Sequence, residues 1–174
     1  MALDLPFEFN QPINFKNTIA YDRLPVVMQW QGRRLGTYIQ WGLQVPSKSE
    51  ALERPVTLVD AFSIFRHKTF SSLIKESRCL IPADPAEPDH ASKMVTYAGI
   101  WQRQKINDHI CDAFAVLGTF QILPDQSQTI FYPTIIDMQG WQRWLKPKTN
   151  RYHVEKMIEQ GSRQPCAGKT PAYA

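Results

Sequence analysis

Residues 78–84 constrain the fold of this 174-residue chain more than any other stretch. Their Cys-Leu-Ile run is short and apolar, and a proline and an Asp-Pro turn at Asp84-Pro85 follow it. An apolar run of this length, bounded by turn residues, predicts a buried strand that ends at a loop. We therefore look for chemistry first in the loop that follows, residues 85–90.

Further strands are indicated on both sides of this stretch by β-branched and aromatic runs. They cover residues 24–30 and 34–41, joined as a hairpin by the Gln31-Gly32 turn, and then residues 94–101, 113–123 and 130–136. The connections between the later runs are too short to hold helical crossovers. The sequence therefore predicts a largely antiparallel sheet.

Helices are expected outside this sheet. Phe62, Phe65 and Phe70 indicate short helical turns within residues 57–76, before the central strand. Asp137 is expected to be the N-cap of a helix that presents Trp141, Trp144 and Leu145 on one face.

A last helix is predicted from Arg151 to about Gly161, with Val154, Met157 and Ile158 buried. The prediction is an α+β fold in one domain, residues 1–161, followed by a disordered tail, residues 162–174.

The composition is typical of a globular protein, with 43% hydrophobic and 21% charged residues. We find no run of the roughly 20 apolar residues that a membrane span requires, and the first residues lack the order of a signal peptide. We therefore expect a cytoplasmic protein with no membrane partner. Its three cysteines, Cys79, Cys111 and Cys166, are widely spaced and are expected to be reduced thiols.

Positive charge is concentrated near the C-terminus. Residues 143–174 carry a net charge of +5, which leaves −1 for the rest of the chain. Such a segment could lie along a phosphate backbone, and its candidate nucleic-acid-binding residues are Arg143, Lys146, Lys148 and Arg151. The alternative is an ordinary solvated helix face followed by a loose tail.

Familiar catalytic motifs are absent from the sequence: it has no Gly-rich phosphate loop, H-E-x-x-H or nucleophile elbow. The four histidines are isolated from one another in sequence, so we predict neither a metal nor a cofactor. Glu87, Asp89 and His90 stand together after the central strand and could supply an acid and a base, or they could form a solvated polar turn. The five tryptophans could stack on bases, but their periodicity favours the core for most of them.

Several segments, in the same order, resemble the SRAP family, the SOS response-associated peptidase-like proteins that capture abasic sites in single-stranded DNA. The family's R-C-L-I-P-A-D strand is intact at residues 78–84. Weaker matches are the family's N-x-A-P-T-Q-x-x-P-V-V at residues 18–27, W-G-L-I-P at 41–46, A-G-L-W at 98–101, T-F-T-I-L at 119–123, and M-P-V-I-L-D with its W-x-x-W-L at 132–145. The resemblance implies a pseudo-barrel of mainly antiparallel strands with peripheral helices.

The departures from the family's pattern fall on its functional positions. The family's nucleophile is a cysteine at position two, and here that residue is Ala2. The Asn and Arg of the family's N-A-R-x-E-T, which hold the DNA, fall on Leu58 and Asp60. An acid in place of a DNA-binding arginine would repel a phosphate.

The family's acid and base are also replaced. The glutamate of G-F-Y-E-W falls on Pro88, and the histidine of H-D-R falls on Thr129. Loss concentrated on these positions, with the scaffold kept, implies a fold retained after its activity was released.

Three hypotheses follow. The first is a catalytically inactive SRAP-like protein, carried by a phage or other mobile element, that binds a protein or a nucleic acid. The second is a non-covalent single-stranded DNA binder that uses the basic C-terminal face and is linked to the DNA damage response. The third is an enzyme with a relocated site near Glu87, Asp89 and His90.

Overall fold

Seven strands and three helices make up the part of the chain that the computed structural model describes, which is residues 18–45, 55–83, 94–106, 108–122 and 129–162. In chain order they are β1 (Arg23–Trp30), β2 (Arg33–Trp41), β3 (Leu58–Asp60), α1 (Phe70–Glu76), β4 (Arg78–Ala83), β5 (Val95–Ile106), β6 (His109–Ile122), β7 (Thr129–Pro133), α2 (Trp141–Leu145) and α3 (Arg151–Ser162).

The predicted hairpin is confirmed. β1 and β2 pair antiparallel from Trp30↔Arg33 outward, and the turn residues Gln31 and Gly32 have φ of 49° and 77°. Two left-handed residues in a two-residue loop match the twist of the flanking strands, which explains the Gly in this turn.

The sheet closes into a five-stranded barrel. The strand order is β2-β1-β4-β5-β6, and β2 then pairs with β6 at Gln40↔Ala113 and Trp41↔Phe114. The predicted antiparallel character is confirmed for most pairs, while β2 and β3 run parallel to β6. The fold is therefore a mixed sheet closed into a barrel, with short helices outside it, and belongs to the α+β class.

The central strand is the wall between two cores. All six residues of β4 are buried. Cys79 and Ile81 pack inside the barrel with side chains of the other four strands, while Leu80 packs outside, against the helices. Because successive side chains of a strand point to opposite faces, this one short segment contributes to both cores.

The interpretation of residues 57–76 as short helical turns missed a strand at the start of this segment. Leu58–Asp60 is a strand that pairs with Val116–Gly118 of β6, and only the later part of the segment is helical. Val59 alone of these three residues is fully buried, and this alternation is too short to be recognised in the sequence.

Asp137 is not the N-cap of α2, contrary to the expectation. The N-cap residue is Gly140, and the Oδ1 atom of Asp137 accepts a hydrogen bond from its N–H at 2.7 Å. Asp137 therefore stabilises the turn that leads into the helix. Trp141, Trp144 and Leu145 are buried as predicted.

The last helix forms where it was predicted, and it buries Val154, Met157 and Ile158. Ser162 is its final residue and shares a 2.9 Å hydrogen bond with Thr134, so the expected tail does not begin there. Residues 163–174 lie outside the described residues. No helix in the described ranges is long and apolar enough to cross a membrane.

Candidate nucleic-acid interface

Arg78 organises one end of the barrel. Its buried guanidinium donates to the carbonyl oxygens of Ile74 and Lys75, at the end of α1, and of Trp144 and Lys146, at the end of α2. Burial lowers the pKa of Arg78 to about 10, so the group stays protonated at neutral pH. The arginine of the central motif thus fixes where the chain leaves α2.

A basic groove lies next to this junction, between the tip of the β1–β2 hairpin and the segment that joins α2 to α3. It has a volume of about 720 Å³. Its lining residues are Gln29, Gly32, Arg34, Gln139, Gln142, Arg143, Lys146, Lys148, Thr149, Asn150 and His153. We call this cavity the basic groove.

The charged side chains that line the basic groove are all cationic. Arg34, Arg143, Lys146 and Lys148 line it, and none of the described residues that line it is acidic. Within the described part of the chain these four side chains form no ion pair. Cations without carboxylate partners, in a concave site, attract an anion.

Two backbone features add to this polarity. Asn150 accepts a hydrogen bond from the N–H of Tyr152 at 2.8 Å, as an N-cap does, so the N-terminal end of α3 faces the groove at Thr149, Asn150 and His153. A helix N-terminus carries partial positive charge. Lys148 has φ of 60°, a left-handed conformation that is unfavourable for lysine but that the residue adopts in this turn.

Three of the four predicted nucleic-acid-binding residues, Arg143, Lys146 and Lys148, line the basic groove. The fourth, Arg151, does not. Its guanidinium donates to Glu155 at 2.7 Å and lies over the ring of Phe65, 4.8 Å from its centroid. This neighbouring acid leaves Arg151 less available to a phosphate.

Arg34 and His153 were missed by the sequence analysis. Gln29 and Arg34 are paired across the hairpin, so they lie on the same face of it, and this relationship follows from the predicted turn. Their proximity to residues 143–153 comes from the pairing of β1 with β4 and the attachment of α2 to β4, which no local sequence pattern indicates.

The described positions to which the resemblance assigns functional residues, Leu58, Asp60 and Thr129, do not line the basic groove. Leu58 is half-buried against the barrel interior, Asp60 accepts a hydrogen bond from the N–H of Ser63 at 2.9 Å, and Thr129 is exposed at the start of β7. Asp60 therefore stabilises a turn. Ala2, Glu87, Pro88, Asp89 and His90 lie outside the described residues.

The basic groove and Thr129 are at opposite ends of the central strand. Strand pairing puts Met28 beside Cys79, so the hairpin tip lies at the beginning of β4. Thr129 pairs with Ile122 at the end of β6, on the side where β4 ends at Ala83. The length of β4, about 16 Å at the usual rise per residue, separates the basic groove from Thr129, while Leu58 lies level with Cys79 across the sheet.

Most of the tryptophans are in the core, as predicted. Trp41, Trp101, Trp141 and Trp144 are buried, and only Trp30 is partly accessible. His67 stacks on Phe70 with ring centroids 4.3 Å apart. Among the described residues no group of three His, Cys, Asp or Glu side chains could hold a metal ion.

Comparisons with known proteins relate the chain to others by fold. No protein-family model matches the sequence, and no curated protein matches it. A crystal structure of a protein from Bacteroides thetaiotaomicron aligns with a TM-score of 0.62 and 18% identity, over 79% of this chain and 68% of that one. A phage-related protein from Bordetella bronchiseptica aligns with a TM-score of 0.62 and 16% identity, over 82% of this chain and 74% of its own. At these identities the likeness shows a shared fold.

Proposed function

We propose that this chain is a non-catalytic, SRAP-like protein of phage-related origin that binds single-stranded nucleic acid without a covalent bond. The observation that carries the proposal is the basic groove, in which Arg34, Arg143, Lys146 and Lys148 converge with no acidic residue among those that line it. Phosphates are the anions that such a row of cations fits best.

The concave shape of the groove favours a single strand. A flexible strand can follow a groove between a hairpin and a helix, whereas a duplex holds its phosphates on a rigid convex surface. The polar residues Gln29, Gln142 and Asn150 also line the basic groove and can donate to phosphate or sugar oxygens.

The proposal of a non-catalytic protein has its own support. Ala2 stands where the resemblance puts the nucleophile, and its methyl group has no lone pair with which to attack an aldehyde. Asp60 and Thr129 stand where the resemblance puts a DNA-binding arginine and a histidine. An aspartate cannot act as the cationic donor, and a threonine cannot act as the acid and base. Binding is then the activity that the remaining scaffold can supply.

Fluorescence anisotropy tests the binding directly. An oligothymidylate of about 12 nucleotides is within the usual site size of such grooves. At about 50 mM salt it should bind, and the logarithm of the affinity should fall with the logarithm of salt with a slope near −3, since four phosphate contacts contribute roughly −0.7 each.

The matched variants are Arg143→Gln with Lys148→Asn in one protein, and Arg23→Gln in the other. Asn adopts the left-handed conformation of residue 148 readily, so the first variant should keep the turn. Removing two contacts should reduce the salt slope by about 1.4. Arg23 lies at the far end of β1 from Gln29, and its variant should bind like the wild type. No salt-dependent binding, or an equal loss in both variants, would contradict the proposal.

A further inference from the structure

A second cavity adjoins the basic groove. It has a volume of about 360 Å³ and lies between residues 135–140, α2 and the end of α3. Gln139 and Arg143 line both cavities. A strand whose phosphates lie in the basic groove would therefore pass the mouth of this second cavity, which we call the side pocket.

The walls of the side pocket are partly apolar and partly polar. Ile135, Ile136 and Met157 supply the apolar surface, and Met157 carries a polarizable thioether that makes favourable contacts with aromatic rings. Asp137 and Arg143 supply one negative and one positive group. A pocket that combines apolar side chains with a few convergent polar groups suits a flat heteroaromatic ring.

Asp137 retains hydrogen-bonding capacity. Its Oδ1 atom accepts from the N–H of Gly140, and its Oδ2 atom has no hydrogen-bond partner among the described residues. A carboxylate has about four acceptor sites, so Asp137 can still accept from a ligand that presents adjacent N–H groups. Asp137 forms no ion pair with the described cations, so its charge is not already neutralised.

Asp137 and Arg143 together distinguish guanine from the other bases by its hydrogen-bonding groups. Guanine has adjacent N–H donors at N1 and N2, which fit a carboxylate, and adjacent acceptors at O6 and N7, which fit a guanidinium. Thymine and uracil have a single ring N–H, while adenine and cytosine have one exocyclic amino group each. We propose that the side pocket binds one unstacked guanine of the strand, with Asp137 accepting from its N–H groups and Arg143 donating to its acceptors. This inference rests on the proposed function, because the base belongs to the strand that the basic groove binds.

The tight fit of the surrounding backbone keeps the pocket's shape. A Cβ atom on Gly161 would come within 2.0 Å of the carbonyl oxygen of Ile135, so the end of α3 lies directly against residues 134–136. The N–H of Ile135 also donates to the carbonyl of Gly161 at 3.3 Å. The pocket is therefore bounded by packed backbone on this side.

Anisotropy with single-base substitutions tests the inference. Oligothymidylates of about 12 nucleotides would carry one central guanine, hypoxanthine, adenine or cytosine. We expect guanine to bind about tenfold more tightly than adenine or cytosine, in the range of one bidentate base contact. Hypoxanthine lacks the N2 amino group and should fall between them.

Two variants separate the pocket from the groove. Asp137→Asn keeps an oxygen that can accept from the N–H of Gly140 and removes the charge, while Gln160→Trp places a bulky ring at an exposed helix position that lines the pocket. Both should abolish the preference for guanine without weakening the binding of plain oligothymidylate. Equal affinity for all four strands, or a preference that survives both variants, would overturn the inference.

Calorimetry with guanosine 5′-monophosphate distinguishes the two proposals. If plain oligothymidylate fails to bind but the free nucleotide binds and Asp137→Asn abolishes that binding, the groove is contradicted and the pocket is supported. If neither ligand binds, both proposals are overturned.

Discussion

Arg78 and Trp144 form reciprocal hydrogen bonds, because the side chain of each residue donates to a backbone carbonyl oxygen in the element that holds the other. The Nε atom of Arg78 donates to the carbonyl of Trp144 at 2.6 Å, and the Nε1 atom of Trp144 donates to the carbonyl of Cys79 at 2.8 Å. The guanidinium also lies against the indole ring, 5.7 Å from its centroid. This reciprocal pair attaches α2 to the central strand and so sets the position of the segment that lines the basic groove.

Replacing Arg78 should therefore destabilise the whole domain. Arg78→Lys keeps a charge but loses the planar fork that reaches four carbonyl oxygens, and it leaves some of them unpaired in the interior. We expect a loss of about 3 kcal/mol in the free energy of unfolding, measured by urea denaturation.

The matched control is Arg103→Lys, at an exposed arginine that pairs with Asp112. Its denaturation midpoint should stay close to the wild-type value, since exposed ion pairs contribute little. Equal losses in the two variants would mean that the buried network of Arg78 is not what holds α2.

Gly161 should tolerate no side chain. Because a Cβ atom there would lie 2.0 Å from the carbonyl oxygen of Ile135, Gly161→Ala must push α3 away from residues 134–136. Overpacking of this kind costs about 1–3 kcal/mol, which thermal or urea unfolding would detect. Gln160→Ala, one residue earlier on the exposed face of the same helix, should be close to neutral. A stable Gly161→Ala variant would contradict the close packing.

The thiol of Cys79 should be inert in the folded protein. Burial raises its pKa well above the ordinary value, and its side chain has no exposed surface. In a variant that carries Cys111→Ser and Cys166→Ser, a thiol reagent at about pH 8 should label nothing until denaturant is added. Rapid labelling under native conditions would show that the barrel interior opens readily.

The proposal that the chain lacks the family's covalent chemistry can be tested with abasic DNA. Incubation with single-stranded DNA that contains an abasic site should give no covalent adduct on a denaturing gel, because Ala2 has no thiol with which to form one. The matched variant is Ala2→Cys, whose first residue would be the cysteine after removal of the initiator Met. Adduct formation by the unaltered chain would contradict the non-catalytic proposal.

Local patterns in the sequence were sufficient for much of the fold. The Gln31-Gly32 turn determines the hairpin register, and the uninterrupted apolar run after Arg78 indicates a strand buried on both faces. The helix that buries Val154, Met157 and Ile158 follows from their spacing along the chain. Each of these features depends on neighbours in sequence.

Features that depend on distant parts of the chain could not be read in this way. The barrel closes where Gln40 and Trp41 meet Ala113 and Phe114, and no local pattern indicates that parallel pairing. The pairing of β1 with β4, together with the bonds from Arg78 to the end of α2, brings Arg34 to the segment after α2. The sequence therefore indicated Arg143, Lys146 and Lys148 as a charged segment but not as one side of a groove.

The central claim is that the nucleic acid binds in the basic groove and not at Leu58, Asp60 and Thr129, where the resemblance puts functional residues of the family. Hydrogen exchange followed by mass spectrometry, with and without a saturating oligothymidylate, tests this location directly, because bound ligand slows the opening of the segments that it contacts. Peptides that cover residues 29–36 and 139–153 should become protected, while those that cover residues 57–63 and 129–133 should not change. Protection confined to the second pair of segments would contradict the account.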